Sequence, residues 1–480
     1  MLYWRLMKPA VFLAAAFFLA VPLTSRVPGD DAVTAWIQES AVPLNTVEAG
    51  HGFKDLNPLK KILRDVRVVG LGEATHGTRE FFQLKHRLLE FLVREMDYRI
   101  FAIEASAEGC RAINDYVLRG EGDPAAALAG QKFWTWDTHE VRDMIAWMRE
   151  YNRKSPDSRK VSFLGYDLQH LDQGMLRLEK YFDLYLPSGS EAVREALGPI
   201  RIDPFDIAKL PGAPDADKTR ILARLYAVLG RLVFNETPLI REGGEEEYRD
   251  ALNTARILTQ FYYAYSKPMM SAKSEETGAA LRDLFMAHNI EYILRTGGAD
   301  TRIVVWAHNG HISTASWGPG YRAMGSHLRD ILGDAYYSLG FAFNRGGFQS
   351  RLMDPESERN GALIEHRVDD APEGSIGWFL ARPGLDKYLL DFRSAPDIPE
   401  VLDWLKSAHP MRFIGAAYGP KHAVSSLAST VPLEHFDGIA FIDDTTRAVP
   451  NPSGKRGPYA PVKKDKDPKS GRRPASALLN

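Results

Sequence analysis

The sequence predicts an α/β fold in which a largely parallel central sheet is flanked by helices. Short, continuous apolar runs recur between turn residues and have the length of buried strands. Helical patterns separate the early runs, and strands that alternate with helices are typical of α/β sandwiches. Residues 170–300 then carry helical patterns without a convincing strand. We interpret this stretch as a helical insertion, or lid, that covers a ligand-binding cleft.

Eight runs are predicted as strands because they are apolar on both faces, as strands covered by helices must be. They are 66–72, 99–105, 160–167, 302–310, 336–343, 387–392, 412–418 and 437–443. After the first run, Phe81, Leu84, Leu88 and Leu92 repeat at helical spacing. Within the insertion, the patterns predict helices over 217–234, 245–266 and 276–296. Gly297 and Gly298 predict the end of the last one.

Both termini are predicted to lie outside the folded domain of residues 27–450. Residues 1–26 have a positive start, Arg5 and Lys8, and then the uncharged apolar run 10–23. This run is short for a membrane span but suits a signal peptide. It predicts an exported protein, periplasmic or secreted, and a retained membrane anchor is the alternative. Residues 451–480 hold eight Lys and Arg against two Asp, a net of +6, and predict a disordered basic tail rich in Pro and Gly.

The composition narrows the class of protein. Of 480 residues, 45% are apolar and 25% are charged, which is ordinary for a globular protein with a sizeable core. The formal net charge of -2 argues against nucleic acid as a partner. Cys110 is the one cysteine, so no disulfide forms within the chain. We expect Cys110 to be a small buried apolar residue.

Ionisable residues follow four of the predicted strands at their carboxyl ends. They are Glu73 and His76 in "VVGLGEATHG", Glu104 in "FAIEA", Asp167 in "FLGYD", and His308 and His311 in "WAHNGHIS". In open α/β sheets ligands bind at this edge. A charge that ends a buried apolar strand is costly without a partner. We therefore expect these groups to meet at one edge if the four strands are neighbours.

The first of these turns also resembles a dinucleotide-binding loop. Gly70 and Gly72 lie between a strand and a helix, and Glu104 ends the next strand, where a ribose-binding acid would lie. However, Thr75 occupies the position of the third glycine, and Glu73 would repel a pyrophosphate.

A serine nucleophile is also poorly supported, since the sequence contains no G-x-S-x-G elbow.

The cluster suits general acid–base hydrolysis by activated water, without a covalent intermediate. His76 can take a proton from water near neutral pH, while a carboxylate fixes its tautomer. A second histidine, Arg79 or Arg282 can polarise the carbonyl, and for each arginine a surface or structural ion pair is the alternative. We predict that Arg79, Arg282 and Asp167 bind substrate, and that Gly70, Gly72 and Gly77 let the backbone turn tightly at the site.

Two alternatives use the same residues. Glu73, His76, Glu104, His308 and His311 are plausible ligands for a divalent metal, although no H-E-x-x-H or other metal-specific spacing is present. We expect no required cofactor, and a divalent metal is the rival hypothesis. The second alternative is a protein of the same fold that binds a ligand in the cleft without turning it over.

Six segments together resemble the erythromycin esterase family: "GLGEATHGTREFFQLKHRLLEFLV" (70–93), "FAIEA" (101–105), "FLGYDLQH" (163–170), "LRDLFMAHNI" (281–290), "VVWAHNGHIS" (304–313) and "AMGSHLRD" (323–330). The resemblance spans roughly 66–443. It implies an α/β fold with a helical insertion, and hydrolysis of an ester such as the macrolactone of an antibiotic. By this resemblance His76 is the general base, Glu73 and Glu104 are the acidic residues around it, and His308 and His311 are the second histidine pair. It leaves metal dependence open.

Overall fold

The fold is known from a computed structural model that describes residues 29–202, 207–271, 276–318 and 320–452. The predicted signal segment and residues 453–480 of the predicted tail lie outside these ranges. Within them, no helix is both long and apolar enough to cross a membrane.

Ten of the twelve strands in the described residues form one central sheet. The strands are β1 (Val42–Pro43), β2 (Val68–Leu71), β3 (Ile100–Ser106), β4 (Ser162–Asp167), β5 (Ile303–Trp306), β6 (Tyr336–Leu352), β7 (Leu363–Val368), β8 (Lys387–Asp391), β9 (His409–Arg412), β10 (Ala417–Tyr418), β11 (Leu427–Thr430) and β12 (Gly438–Thr445). The order across the sheet is β1-β8-β12-β6-β2-β5-β3-β4, and β7 and β10 pair with β6. The run from β12 to β4 is parallel throughout, while β8 and β7 pair antiparallel with their neighbours.

Helices cover both faces of this sheet. The α-helices are α1 (Gly29–Ser40), α2 (Leu59–Ile62), α3 (Arg79–Met96), α4 (Ala107–Arg119), α5 (Pro124–Gly130), α6 (His139–Lys154), α7 (Asp172–Tyr185), α8 (Ser190–Leu197), α9 (Asp215–Phe234), α10 (Glu236–Gly243), α11 (Glu245–Tyr265), α12 (Gly278–Gly297), α13 (Asn309–Ile312), α14 (Met324–Leu332), α15 (Ile376–Ala381), α16 (Pro399–Lys406) and α17 (Pro432–His435). One apolar layer includes α3, α4 and α6, and the opposite layer includes α1, α12, α14 and α16. Because side chains alternate along a strand, β5 sends Val304 to the first layer and Val305 to the second.

Seven of the eight predicted strand runs coincide with strands of this sheet. The run 412–418 was predicted wrongly as a single strand. Its first residue ends β9, which pairs only with β11 in a separate two-stranded sheet, and its last two form β10 beside β6. Between them the backbone N–H of Ile414 donates to the carbonyl of Ala74, in the turn after β2. The apolar run is interrupted because it packs against that turn.

Between β4 and β5 the described residues form α7 to α12 and no strand. These helices share a core of their own, in which Phe182, Leu232 and Tyr262 are fully buried. The last helix, α12, ends at Gly297 and is followed by Gly298 with a φ of 100°. Glycine adopts this conformation without a steric penalty, which explains the helix end at this position.

The strand register determines where along the sheet the residues of the site lie. Leu71 of β2 lies opposite Trp306 of β5, and Trp306 lies opposite Ile103 of β3. The residues that follow these three therefore emerge at the same edge. The pairing of β3 with β4 shifts register between Ile103 and Ser106, and this irregularity contains Glu104. Such bulges redirect a side chain, which accounts for a carboxylate turned into the site from a buried strand.

Candidate active site

Glu73 organises the first half of the site. It lies just after β2, and its side chain is completely buried. One carboxylate oxygen, Oε1, accepts a hydrogen bond from His76 Nδ1 at 2.6 Å. The other, Oε2, accepts from Lys85 Nζ at 2.7 Å and from the indole nitrogen of Trp306 at 2.8 Å. Since the carboxylate can only accept, His76 carries its proton on Nδ1 and leaves Nε2 free to accept a proton.

His308 lies against His76, with the two ring centroids 4.9 Å apart. Its Nδ1 accepts a hydrogen bond from the backbone N–H of Gly310 at 3.1 Å, so the neutral ring carries its proton on Nε2. That buried nitrogen has no hydrogen-bond partner among the described residues. Burial, together with the charges of His76 and His311, holds the pKa of His308 well below its usual range. His308 is therefore a neutral ring with an unused donor beside His76.

Arg282 of α12 connects the insertion to the ends of the strands. Its Nε and Nη2 donate to the two oxygens of Asp167 at 2.9 and 2.8 Å, and Nη2 also donates to Glu104 at 2.8 Å. Its Nη1 lies 3.1 Å from Nε2 of His311. Asp167 also accepts from the backbone N–H of Leu168. Arg282 and Asp167 are thus both hydrogen-bonded to protein partners within the site.

His311 is held between two carboxylates. Its Nδ1 lies 2.7 Å from Asp283 and its Nε2 lies 3.2 Å from Glu104. Burial opposes the charge on His311, but Asp283 and Glu104 outweigh it and raise the pKa to about 10. Burial likewise acts to raise the pKa of Glu104, but His311 and Arg282 outweigh it and hold that pKa well below its usual range. At neutral pH the site therefore contains an imidazolium beside a carboxylate.

The structure brings seven of the eight predicted site residues together and leaves one apart. The seven are Glu73, His76, Glu104, Asp167, Arg282, His308 and His311. Arg79 lies elsewhere at the start of α3, where its Nε is 3.7 Å from Glu140 of α6 and its side chain is 47% exposed. It starts the helix that carries Lys85 and, within the described part of the chain, forms no hydrogen bond or ion pair with the other seven residues.

The glycines of the motif serve close packing rather than an unusual backbone. Gly70, Gly72 and Gly77 are not among the described residues with positive φ. A Cβ on Gly72 would lie 2.1 Å from Oδ1 of Asn309, and one on Gly77 would lie 2.2 Å from the carbonyl oxygen of Gln349. The absence of a side chain lets the turn approach its neighbours and carry Glu73 and His76 into the site.

Four side chains of the site were not predicted from the sequence: Lys85, Asp283, Trp136 and Trp306. Trp136 is buried and its ring lies 5.8 Å from that of His76. Lys85 could have been found, because it lies four residues after Phe81 on the apolar stripe of α3, where a lysine requires a buried anion.

Among the described residues, no group of three or more His, Cys, Asp or Glu has the geometry to hold a metal ion. Cys110 is buried, as expected, and burial raises the pKa of its thiol.

A parallel sheet with a histidine–carboxylate pair at its carboxyl edge, contacted there by Arg282 of the helical segment between β4 and β5, defines an α/β protein with an acid–base site. The sequence profile of the erythromycin esterase family matches residues 93–445. The chain belongs to that family, as the resemblance predicted. Membership supports ester hydrolase activity.

Individual relatives agree with this placement. Erythromycin esterase type II of Escherichia coli is 26% identical over 384 residues, which cover 75% of this chain and 89% of that protein. A Bacillus cereus protein of solved structure has a TM-score of 0.77 at 23% identity, covering 90% of this chain and all of that one. A mutant of the erythromycin esterase EreC in its open conformation has a TM-score of 0.62 at 17% identity, covering 82% and 94%. The two structures confirm the fold.

Proposed function

We propose that this protein is an exported hydrolase that cleaves a carboxylic ester or lactone with water activated by His76. The pairing of Glu73 with Nδ1 of His76 carries the proposal, because it fixes the tautomer whose Nε2 can accept a proton. The His76 side chain is 13% exposed whereas Glu73 is completely buried, so the ring is the part of the pair that water can reach.

In the proposed reaction, Nε2 of His76 takes a proton from water as the water oxygen attacks the ester carbonyl. The carbonyl oxygen becomes an oxyanion in the tetrahedral intermediate. The unused Nε2–H of His308 is the donor best placed to stabilise it, since it is buried beside His76 and has no other described partner. Protonated His76 then returns the proton to the departing alkoxide, giving an acid and an alcohol.

The second half of the site supplies fixed charge. His311 is an imidazolium at neutral pH, and Arg282 is a permanent cation. Glu104 accepts from the backbone N–H of His308 at 3.0 Å, so this network also positions the His308 ring. We propose that Arg282 and Asp167 act by holding this network in place and shaping the substrate cleft.

The substrate class follows from the relatives and the termini. Erythromycin esterase type II of Escherichia coli supports a macrolactone as one candidate substrate. The sequence of residues 1–26 supports export, and an exported enzyme would meet esters of the envelope or the environment.

Turnover of two probes, erythromycin and p-nitrophenyl acetate, tests the function. Opening of the erythromycin lactone adds the mass of one water to the molecule, and hydrolysis of p-nitrophenyl acetate releases p-nitrophenol and acetic acid. One turnover in H₂¹⁸O with enzyme in excess should label the product acid and leave the protein unlabelled. Label in the protein would overturn direct attack by water. A ligand-induced thermal shift without product would favour a binding protein instead. Activity lost to a chelator and restored by a divalent metal would favour the metal-dependent alternative.

A further inference from the structure

The turn that carries the proposed base is joined to a buried lysine. The side chains of Lys85 and Glu73 are both 0% exposed, and Nζ lies 2.7 Å from Oε2. The ammonium also lies 4.1 Å from the centre of the Trp306 ring and 5.4 Å from that of Phe341. A buried ammonium is costly to place, so this position requires the anion that it contacts.

The two oxygens of Glu73 have separate partners. Lys85 and the indole N–H of Trp306 both occupy Oε2, which leaves Oε1 to face His76. The carboxylate cannot rotate without breaking these charge-assisted hydrogen bonds. Lys85 therefore fixes the direction from which Glu73 meets the imidazole.

The two histidines of the site differ in their neighbours. His311 faces Asp283 and Glu104, and its pKa is raised to about 10. His76 hydrogen-bonds to one carboxylate, Glu73, whose other oxygen is bound by a cation. A carboxylate attracts a proton onto an adjacent imidazole less strongly when a cation sits on its far side. A proton held too tightly would prevent the ring from acting as a base.

We propose that Lys85 is a positioning residue for this reaction: it aims Glu73 at His76 and, by its positive charge, offsets the Glu73 charge that the imidazole faces. This inference rests on the proposed function. The ionisable groups around His76 are Glu73 in its own turn, Lys85 of α3, Glu104 of β3 and His308 after β5. Burial lowers the pKa of Lys85 to about 8 while the Glu73 charge opposes that shift, so the ammonium form predominates at pH 7.

The test is the titration of His76 in Lys85→Met, followed by NMR of ¹³C-labelled histidine. The His76 signal is assigned by its loss in His76→Gln. Removing the cation leaves Glu73 with an uncompensated charge, so the His76–Glu73 pair should take up a proton at higher pH. A charge removed at roughly 6–8 Å shifts a titration by about one pH unit or more at an effective dielectric of about 20. The acidic limb of kcat/KM for p-nitrophenyl acetate should move in the same direction.

Three variants separate this role from a purely structural one. In Lys85→Arg, His76 should titrate as in the wild type, because arginine keeps the positive charge at this position. Glu73→Gln combined with Lys85→Met removes both charges and should cancel the upward shift. In Lys61→Met, which changes an exposed lysine, His76 should titrate as in the wild type. An unchanged His76 titration in folded Lys85→Met would overturn the role of Lys85. A titration of His76 in Lys85→Arg that differs from that of the wild type would also overturn it. Because NMR needs no turnover, failure of the esterase proposal would be seen separately.

Discussion

Replacing Arg282 with methionine should be among the most destabilising single changes in this protein. The guanidinium donates to Asp167 twice and to Glu104 once, and both carboxylates are buried. Removing one partner of a buried ion pair costs about 3–5 kcal/mol, because the other charge remains without compensation. Two carboxylates lose their cation here. Each keeps another donor, His311 for Glu104 and the backbone N–H of Leu168 for Asp167, so we expect a loss within that range rather than its double.

Urea unfolding at pH 7 measures this loss in the free energy of unfolding. Arg282→Lys keeps the charge but lacks the planar fork that reaches both carboxylates, so its loss should be smaller, about 1–2 kcal/mol. The deficit of Arg282→Met should shrink as the pH falls and Glu104, which Arg282 helps to keep ionised, becomes protonated. A loss below about 1 kcal/mol at pH 7 would refute the inference that Arg282 joins the insertion to the strand ends.

Two further predictions concern the same site. The pKa of His311 is raised from 6.5 to about 10, so its contribution to stability is complete below pH 6.5 and is lost as the pH rises through 10. Asp283→Asn should therefore be less stable than wild type by about 2 kcal/mol or more at pH 6, with the gap closing towards pH 10 in urea titrations; a gap independent of pH would contradict this. Gly77→Ala would place a Cβ 2.2 Å from the carbonyl oxygen of Gln349 and should lower stability by about 2 kcal/mol or more, measured by the same unfolding assay. Gly130→Ala, where nothing lies within 4 Å, is the matched control, and equal effects of the two changes would argue against close packing at the turn.

Local patterns were sufficient to predict much of the sheet. Strands buried between helix layers must be apolar on both faces, and this property identifies runs such as β2 and β5 without other information. The polar residues after them, Glu73 and His308, could be placed at one edge because parallel strands share a direction. The run 412–418 could not be resolved in the same way, since its interruption depends on the contact of Ile414 with Ala74, which is distant in sequence.

The partners of the site residues were harder to predict than their location. Arg79 and Arg282 were equal candidates by residue type, and only the packing of α12 over the strand ends separates them. Helical spacing identifies the apolar stripe of α3, but it does not show that Lys85 on this stripe pairs with Glu73. Spacing along the sequence also cannot show which oxygen of Glu73 each partner binds.

The rate of ester hydrolysis by wild type and His76→Ala, measured side by side, tests the central claim most directly. The account predicts that kcat/KM on the ester that the wild type cleaves falls at least about a hundredfold when the imidazole is removed, because general base catalysis contributes about 10²–10⁴-fold. Matching thermal unfolding of the two proteins would show that the fold is retained. Activity within about threefold of wild type in His76→Ala would contradict the assignment of His76 as the base.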